Sequence, residues 1–137
     1  MQFSVPCLMG VEGLVADELR FKGFDEVKAE NGRVLFTGDE DACARANILL
    51  RCGERVLWRL ADFSARSFDE LFEGVRAIPW EDCIACGEAF PVKGFSIQSR
   101  LHSVPDCQRI IKKAAVERLK TKYKIQWFEE TGALYQI

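Results

Sequence analysis

The chain lacks the signatures that mark most enzymes and membrane proteins. It has a single histidine, His102, and no Ser-His-Asp or Cys-His spacing, paired-carboxylate motif or P-loop, so its residues offer no catalytic site. No apolar run reaches the roughly 18 residues of a membrane-spanning helix. The N-terminus also lacks the basic start and long apolar core of a secretory signal. The sequence therefore predicts a cytoplasmic binding module that does not act on its own as an enzyme and does not enter a membrane.

The six cysteines do not form a metal-binding pattern. Cys83 and Cys86 make one CxxC, but no second CxxC or CxxH pair follows it. Cys43 and Cys107 fall on apolar helical stripes, where free cysteine behaves as a small hydrophobe. We expect reduced thiols in a reducing compartment and no metal site.

Residues 1–66 predict a small domain in which strands and helices alternate. Apolar residues at helical spacing follow the first strand, and Gly23 stands where a helix-ending glycine belongs. Asn31-Gly32 predicts a hairpin with a type I′ turn, in which both central residues have positive φ. Asp39 predicts the N-cap of a second helix that ends at Gly53. The order is the split βαβ of a ferredoxin-like domain, with strands predicted at residues 2–7, 24–30, 33–37 and 55–61.

Residues 67–137 predict a second domain, so that the whole chain belongs to the α+β class. Ser67 and Glu70 have the spacing of a capping box, and Pro79 ends the helix that they begin. The following elements are predicted as a half-buried strand at residues 95–102, a long helix at residues 105–124 with Ser103 as N-cap, and a last strand at residues 132–137.

The long helix is strongly basic although the chain carries a net charge of -2. Residues 91–137 alone carry a net charge of +5, and Glu117 is the only acid among seven bases from Arg109 to Lys124. A solvated helix face normally mixes both signs at i,i+4 spacing, so this imbalance favours anion binding over simple solvation. At about 100° per residue most of the bases share one face, whereas Arg118 is predicted to lie toward the apolar side and to snorkel or pair with an acid. The candidate nucleic-acid-binding residues are Lys93, Gln98, Arg100, Arg109, Lys112, Lys113, Lys120 and Lys124.

Several stretches resemble a known family. The segment "SRLHSVPDCQRIIKKAAVERLK", with "FPVKGFSIQ" and "SFDELFEGVRAIPWED" before it, resembles the THUMP domain of RNA-modifying enzymes. The stretch "CLMGVEGLVADELRFKGFDEVKAENGRVLFTG" is similar to the ferredoxin-like segment that precedes it in those enzymes. Together they resemble the N-terminal part of bacterial methyltransferases that modify the exocyclic amine of guanines in large-subunit (23S) ribosomal RNA.

The resemblance implies that the chain captures structured RNA for a catalytic domain. In the family that domain uses S-adenosylmethionine, with a glycine-rich loop and an Asn-Pro-Pro-aromatic motif, and the chain has neither motif. We therefore expect no catalytic or cofactor-binding residue here and a THUMP domain that is incomplete at its C-terminal end. An unfinished sheet edge would then favour a dimer through residues 132–137.

Two other interpretations stay open from the sequence. The same front half precedes tRNA thiouridine synthases, and a ferredoxin-like domain can also serve as a non-enzymatic protein-interaction module. Trp127 and Phe128 could stack on a base, although core packing is the favoured role for both.

Overall fold

The computed structural model describes residues 1–96 and 99–137, which divide into two units, Met1–Asp62 and Phe63–Ile137. Unit 1 contains β1 (Gln2–Pro6), α1 (Glu12–Phe21), β2 (Asp25–Glu30), β3 (Arg33–Thr37), α2 (Glu40–Leu49) and β4 (Leu57–Trp58). Its sheet has the order β2-β3-β1-β4 with antiparallel neighbours. This is the ferredoxin-like arrangement, so the predicted α+β class is confirmed.

Local signals in the sequence explain where the helices of unit 1 begin and end. The Asp39 carboxylate accepts a hydrogen bond from the Ala42 N–H at 2.8 Å and so caps α2. After α1, Gly23 has φ +77° and donates to the Arg20 carbonyl, while the Phe24 N–H donates to the Leu19 carbonyl. These two bonds make a Schellman motif, which requires a residue with positive φ, and glycine supplies it without strain.

The core of unit 1 lies between the sheet and the two helices. Alternation in the strands directs every second side chain inward, and α1 adds one apolar stripe. The buried residues that form this core cluster are Phe3, Val5, Cys7, Val15, Ala16, Leu19, Phe24, Val34, Phe36 and Ala46.

Three details of unit 1 differ from the predictions. At the hairpin only Gly32 has positive φ, so Asn31-Gly32 does not form a type I′ turn, although the pairing of Glu30 with Arg33 is as expected. Helix α2 has its C-cap at Leu50, and Gly53 instead lies so close to Val5 that an added Cβ would meet its Cγ1 at 2.4 Å. Strand β4 has two residues rather than seven: Leu57 and Trp58 form its ladder with β1, and beyond them single bonds run from the Glu54 N–H to the Pro6 carbonyl and from the Arg59 N–H to the Gln2 carbonyl.

Unit 2 contains α3 (Phe68–Ala77), a short 3-10 helix (Trp80–Asp82) and α4 (Val104–Tyr123). Its separate core consists of Val75, Trp80, Ile84, Phe90, Ala114, Ala115, Leu119 and Phe128. The Ser67 hydroxyl caps α3 by accepting from the Glu70 N–H at 3.2 Å. The Glu70 carboxylate reaches back to the N–H of Arg66 rather than that of Ser67, so the capping box closes one residue earlier than its usual form.

The extended segments of unit 2 pair over a long sequence distance. Residues 89–93 run parallel to residues 133–137, with hydrogen bonds from the Tyr135 N–H to the Ala89 carbonyl at 2.8 Å and from the Ile137 N–H to the Pro91 carbonyl at 3.0 Å. The predicted last strand is therefore extended and paired, but its only ladder position in the described chain is the bridge between Ala89 and Leu134. The strand expected at 95–102 does not form in its described residues; Ile97 and Gln98 lie outside them. No helix in the described part of the chain is both long and apolar enough to cross a membrane.

Candidate nucleic-acid interface

The basic helix α4 is fixed at both ends by residues of the sequence. Ser103 is its N-cap residue, as predicted, but its hydroxyl donates to the Asp106 carboxylate rather than accepting from the backbone. Pro105 fits the first turn because the N–H that proline lacks would have no partner within the helix there. At the other end Lys124 has φ +56°, a left-handed conformation that stops the helix after twenty residues.

One face of α4 packs into the core of unit 2. Ala114, Ala115 and Leu119 are completely buried, and the helix contacts α3 and the 3-10 helix. The Tyr123 hydroxyl donates to the Ile84 carbonyl at 2.7 Å, which anchors the last turn. Since this face of α4 is buried in the core, the opposite face points away from the core.

Four cations form this opposite face, which we call the outer basic face: Arg109, Lys113, Lys120 and Lys124. At about 100° per residue they lie within about 60° of one another around the helix axis. Arg109, Lys113 and Lys124 are exposed and Lys120 is half-buried. The Lys113 ammonium lies 5.7 Å from the centroid of the Phe72 ring, close enough for a weak cation–π contact.

Two acids share or border this face. Asp106 is 3.3 Å from the Arg109 guanidinium, and both side chains are largely exposed, so the pair is weak and open to exchange. Glu117 lies on the same side of the helix and takes no part in an ion pair among the described residues. The face therefore has an excess of two positive charges.

The remaining three cations of α4 are held by acids of unit 2. The Lys112 ammonium donates to the Phe90 carbonyl at 2.8 Å, lies 2.6 Å from a Glu130 carboxylate oxygen and sits 3.5 Å from the centroid of the Phe90 ring. Arg118 binds both oxygens of Glu81, at 3.0 and 2.6 Å, as its predicted position toward the apolar side allows. Lys122 lies 3.4 Å from the same carboxylate. The seven-to-one excess in the sequence is thus partly neutralised by residues that are distant along the chain.

Glu81 is the most strongly perturbed acid of this surface. The two hydrogen bonds from Arg118, together with its own backbone N–H and Lys122, lower the pKa of the Glu81 carboxyl to about 2, against a smaller opposing effect of burial. The carboxylate is only 10% exposed. It therefore stays ionised and keeps Arg118 and Lys122 turned toward the 3-10 helix.

We expect Glu81→Gln to lower the free energy of unfolding of the chain by about 1–2 kcal/mol at pH 7, since one partner of a charged hydrogen-bonded pair is lost while Arg118 and Lys122 remain partly solvated. A lowered pKa stabilises the fold above the unfolded value near 4.5, and this contribution disappears as the pH falls from there toward 2. Urea unfolding at pH 7 and pH 3 measures both effects.

Glu73→Gln is the matched control, because Glu73 pairs with Arg76 at 2.7 Å while both side chains are about half exposed. It should change the free energy of unfolding by less than about 0.5 kcal/mol. If the Glu81 variant loses no more than this control, or loses as much at pH 3 as at pH 7, the assigned role of Glu81 is wrong.

The other candidate residues are not part of the outer basic face. Lys93 and Arg100 are exposed on the segment between residues 89 and 103, and Gln98 lies outside the described residues. The backbone N–H of Lys93 donates to the Ile137 carbonyl at 2.7 Å, and this bond does not involve the Lys93 side chain, which is exposed. Lys112 points into the unit, so its contact with an anion would compete with its bonds to Phe90 and Glu130.

Two features of the surface had no clear signal in the sequence. Glu81 and Glu130 could not be assigned as partners of the α4 cations, because they lie far from them along the chain. Trp127 was expected in the core but is 78% exposed, whereas its neighbour Phe128 is buried and meets the Phe90 ring edge-on at 5.7 Å.

The glycine-containing turn before α1 is unsuited to a cofactor phosphate. The Glu12 carboxylate accepts hydrogen bonds from the Gly10 N–H at 2.8 Å and the Gly32 N–H at 2.9 Å, and these bonds lower its pKa. A resident anion therefore already occupies the donors that a phosphate would need. The residues of this turn do not fit S-adenosylmethionine or a nucleotide cofactor.

The cysteines likewise form no reactive or metal-binding group that can be identified. Over residues 1–96 and 99–137 no three His, Cys, Asp or Glu side chains gather so that they could hold a metal ion. Burial is the main cause that raises the pKa of the Cys83 thiol, with Asp82 and Glu81 adding to it, so this member of the CxxC pair is protonated at neutral pH.

Comparison with protein families matches both units. Residues 2–57 match the model of the RlmL ferredoxin-like domain, and residues 65–137 match the THUMP domain. Among curated proteins, YpsC of Bacillus subtilis (strain 168), whose name proposes an RNA methyltransferase, is 50% identical over 131 residues, which are 94% of this chain. The ribosomal RNA large subunit methyltransferase K/L of Syntrophotalea carbinolica is 30% identical over 123 residues, or 90% of this chain.

Solved structures are similar to this chain over nearly its whole length. A Listeria monocytogenes str. 4b F2365 protein described as a predicted N6-adenine-specific DNA methylase matches 98% of this chain with 46% identity and a TM-score of 0.92. SMU.472, described as "a putative methyltransferase complexed with SAH", matches 99% of this chain with 37% identity and a TM-score of 0.92. The chain spans only 34% and 17% of the two curated relatives and 36% and 37% of the two solved chains.

Proposed function

The chain belongs to the THUMP domain family, and from this premise we propose that it binds structured RNA through the outer basic face of α4. The observation that carries the proposal is the placement of Arg109, Lys113, Lys120 and Lys124 on one solvent-facing side of a helix whose other side is fixed in the core. Lys93 and Arg100 add cations on the preceding segment, and Lys112 and Gln98 complete the candidate set.

The chemistry of this face suits phosphates better than bases. Lysine ammonium groups act as point charges without a planar fork, and the face carries no aromatic side chain. Double-stranded RNA is recognised mostly through its shape and backbone. Such contacts hold an RNA in position without reading its sequence, which fits a domain that presents a substrate to another domain.

The reaction itself would be performed by a longer protein of which this chain is one part. Relatives named as ribosomal RNA large subunit methyltransferases, and a solved relative in complex with SAH, support methyl transfer from S-adenosylmethionine to large-subunit rRNA. The family resemblance of the sequence adds the exocyclic amine of a guanine as the proposed acceptor and the cytoplasm as the proposed location. The DNA methylase description of another relative is a competing assignment of the substrate. In either case this chain would supply substrate binding, and the cofactor would be bound outside it.

A competition experiment tests the RNA assignment against a general affinity for polyanions or acidic proteins. We expect the 137-residue chain to bind a structured rRNA hairpin more tightly than double-stranded DNA of the same stem sequence, heparin or an acidic protein, all at the same salt concentration. Equal affinity for heparin and RNA would reduce the face to a nonspecific anion site. Preference for the acidic protein would favour an interaction module, and preference for DNA would favour the other substrate.

We also propose that the chain self-associates through residues 132–137. Ala133, Tyr135 and Ile137 form the backbone hydrogen bonds that join this segment to residues 89–93. The N–H and carbonyl groups of Leu134 and Gln136 have no backbone partner in the described chain outside their own segment. Such an open edge recruits a second strand. Analytical ultracentrifugation should show a dimer that forms with increasing concentration.

A substitution at Gln136 tests whether the dimer forms through this edge. Gln136→Pro removes one outward N–H and leaves the inward N–H groups of Tyr135 and Ile137 in place, so it should shift the chain toward monomer, while Gln136→Ala should not. A chain that stays monomeric at millimolar concentration contradicts the prediction.

A further inference from the structure

The three tryptophans of the chain are in very different environments. Trp80 is 3% exposed and its indole N–H donates to the Val75 carbonyl at 2.8 Å, so it is a core residue. Trp58 is 46% exposed on β4. Trp127 is 78% exposed, and its indole N–H has no hydrogen-bond partner within the described residues. A large aromatic side chain left in water beside a charged surface calls for a functional explanation more than an exposed leucine does.

Core packing does not explain Trp127, because the adjacent residue takes that role. Phe128 is 7% exposed and belongs to the core of unit 2, where it packs edge-on against Phe90. Glu130 is held near the same place by Lys112 at 2.6 Å. The residues that follow Trp127 are therefore fixed in unit 2, while the Trp127 side chain itself is left in solvent.

Trp127 lies just beyond the end of the outer basic face. Lys124, the last cation of that face, turns the chain with its positive φ, and the Ile125 N–H closes the turn on the Lys120 carbonyl at 3.1 Å. Three residues of chain span at most about 11 Å, so the Cα of Trp127 lies within that distance of the Cα of Lys124. Successive phosphates of an RNA strand bound along the face would bring a nucleotide within reach of the indole.

We propose that Trp127 stacks on an unpaired base of the RNA held by the outer basic face. The inference rests on the proposed function and extends it, since it adds a base contact to a face that otherwise meets only phosphates. Stacking on an indole accepts any of the four bases, because every base has a π face. It requires an unstacked base, so the preferred RNA would have a bulge or loop next to a helix rather than an uninterrupted duplex.

The local charge agrees with a base rather than a phosphate at this position. Glu129 is exposed two residues after Trp127 and would repel a phosphate placed over the indole. The cations Lys120 and Lys124 precede it. The strand would thus keep its phosphates on the lysine side and turn one base toward the tryptophan.

The test uses the 137-residue chain and two RNAs without a hairpin loop, a two-stranded duplex with an internal bulge that contains 2-aminopurine and the same duplex fully paired. Binding to the bulged RNA should change the 2-aminopurine fluorescence and quench the exposed tryptophan emission. Trp127→Ala should bind the bulged RNA about 5- to 150-fold more weakly, the range expected for one lost stacking contact, and should bind the paired RNA as before. Trp127→Phe should recover part of the loss.

Trp58→Ala is the matched control, because Trp58 is also solvent-accessible but lies in unit 1; it should leave both affinities unchanged. Circular dichroism would establish that each variant is folded. If Trp127→Ala binds the bulged RNA normally, or weakens both RNAs equally, the stacking proposal is wrong while phosphate binding stands. If the wild-type chain binds neither RNA in a salt-dependent way, both proposals fail.

Discussion

Exchanging Lys113 and Lys120 for glutamate is expected to weaken RNA binding about 10- to 100-fold at 0.1 M salt. Each phosphate contact makes the logarithm of affinity fall by about 0.7 to 0.9 per tenfold rise in salt, because bound cations release counterions from the RNA. Two lost contacts should therefore reduce this slope by about 1–2 units. Binding isotherms of a structured RNA between 0.05 and 0.4 M salt measure the affinity and the slope together.

The double variant should stay folded, because Lys113 is exposed and the half-buried Lys120 projects about 100° away from Leu119 and about 140° away from Ala115 around the helix axis. The loss should also be similar for RNAs of different sequence, since phosphate contacts carry no sequence code. A well-folded variant with unchanged affinity and slope would show that the outer basic face is merely solvated.

A control of equal charge separates local contact from overall attraction. Arg51→Glu with Arg55→Glu changes the net charge by the same amount on exposed residues of unit 1 and should leave the slope nearly unchanged. Lys112→Ala is a second comparison on α4 itself. Because its ammonium is bound to Phe90 and Glu130, its removal should reduce stability more than it reduces the salt slope.

The sequence predicted which residues of α4 face away from the core better than it predicted how many of the α4 cations remain unpaired. The spacing of apolar residues placed the cations of the outer basic face together, because a helix converts spacing along the chain into a side of a cylinder. The acids that neutralise Lys112 and Arg118 approach from segments that are distant along the chain. No periodicity within α4 carries that information.

The sequence also predicted the elements of unit 1 better than those of unit 2. In unit 1 the helix ends at Gly23 and Asp39 and the hairpin at Asn31-Gly32 have short-range signals, and all three were placed correctly, apart from the turn type. In unit 2 the pairing of residues 89–93 with 133–137 joins segments about forty residues apart, and parallel pairing has no turn residue to mark it. Pattern alone therefore suggested a strand at 95–102, where the described residues form none.

Phe90→Ala is expected to lower the free energy of unfolding of unit 2 by about 3–5 kcal/mol, the range for removing a buried aromatic ring from a packed core. The Phe90 ring is completely buried, packs edge-on against Phe128 and lies under the Lys112 ammonium at 3.5 Å. Its loss leaves a cavity and deprives Lys112 of its cation–π contact.

The same change at Phe95, which is 81% exposed in the same unit, should cost less than about 0.5 kcal/mol. Urea unfolding followed by tryptophan emission compares the two, since the buried Trp80 reports on unit 2. Equal losses for the two variants would mean that Phe90 does not organise the core that supports α4. If Phe90→Ala instead unfolds unit 2, RNA binding should be lost with it, whereas the core of unit 1 should keep its own transition.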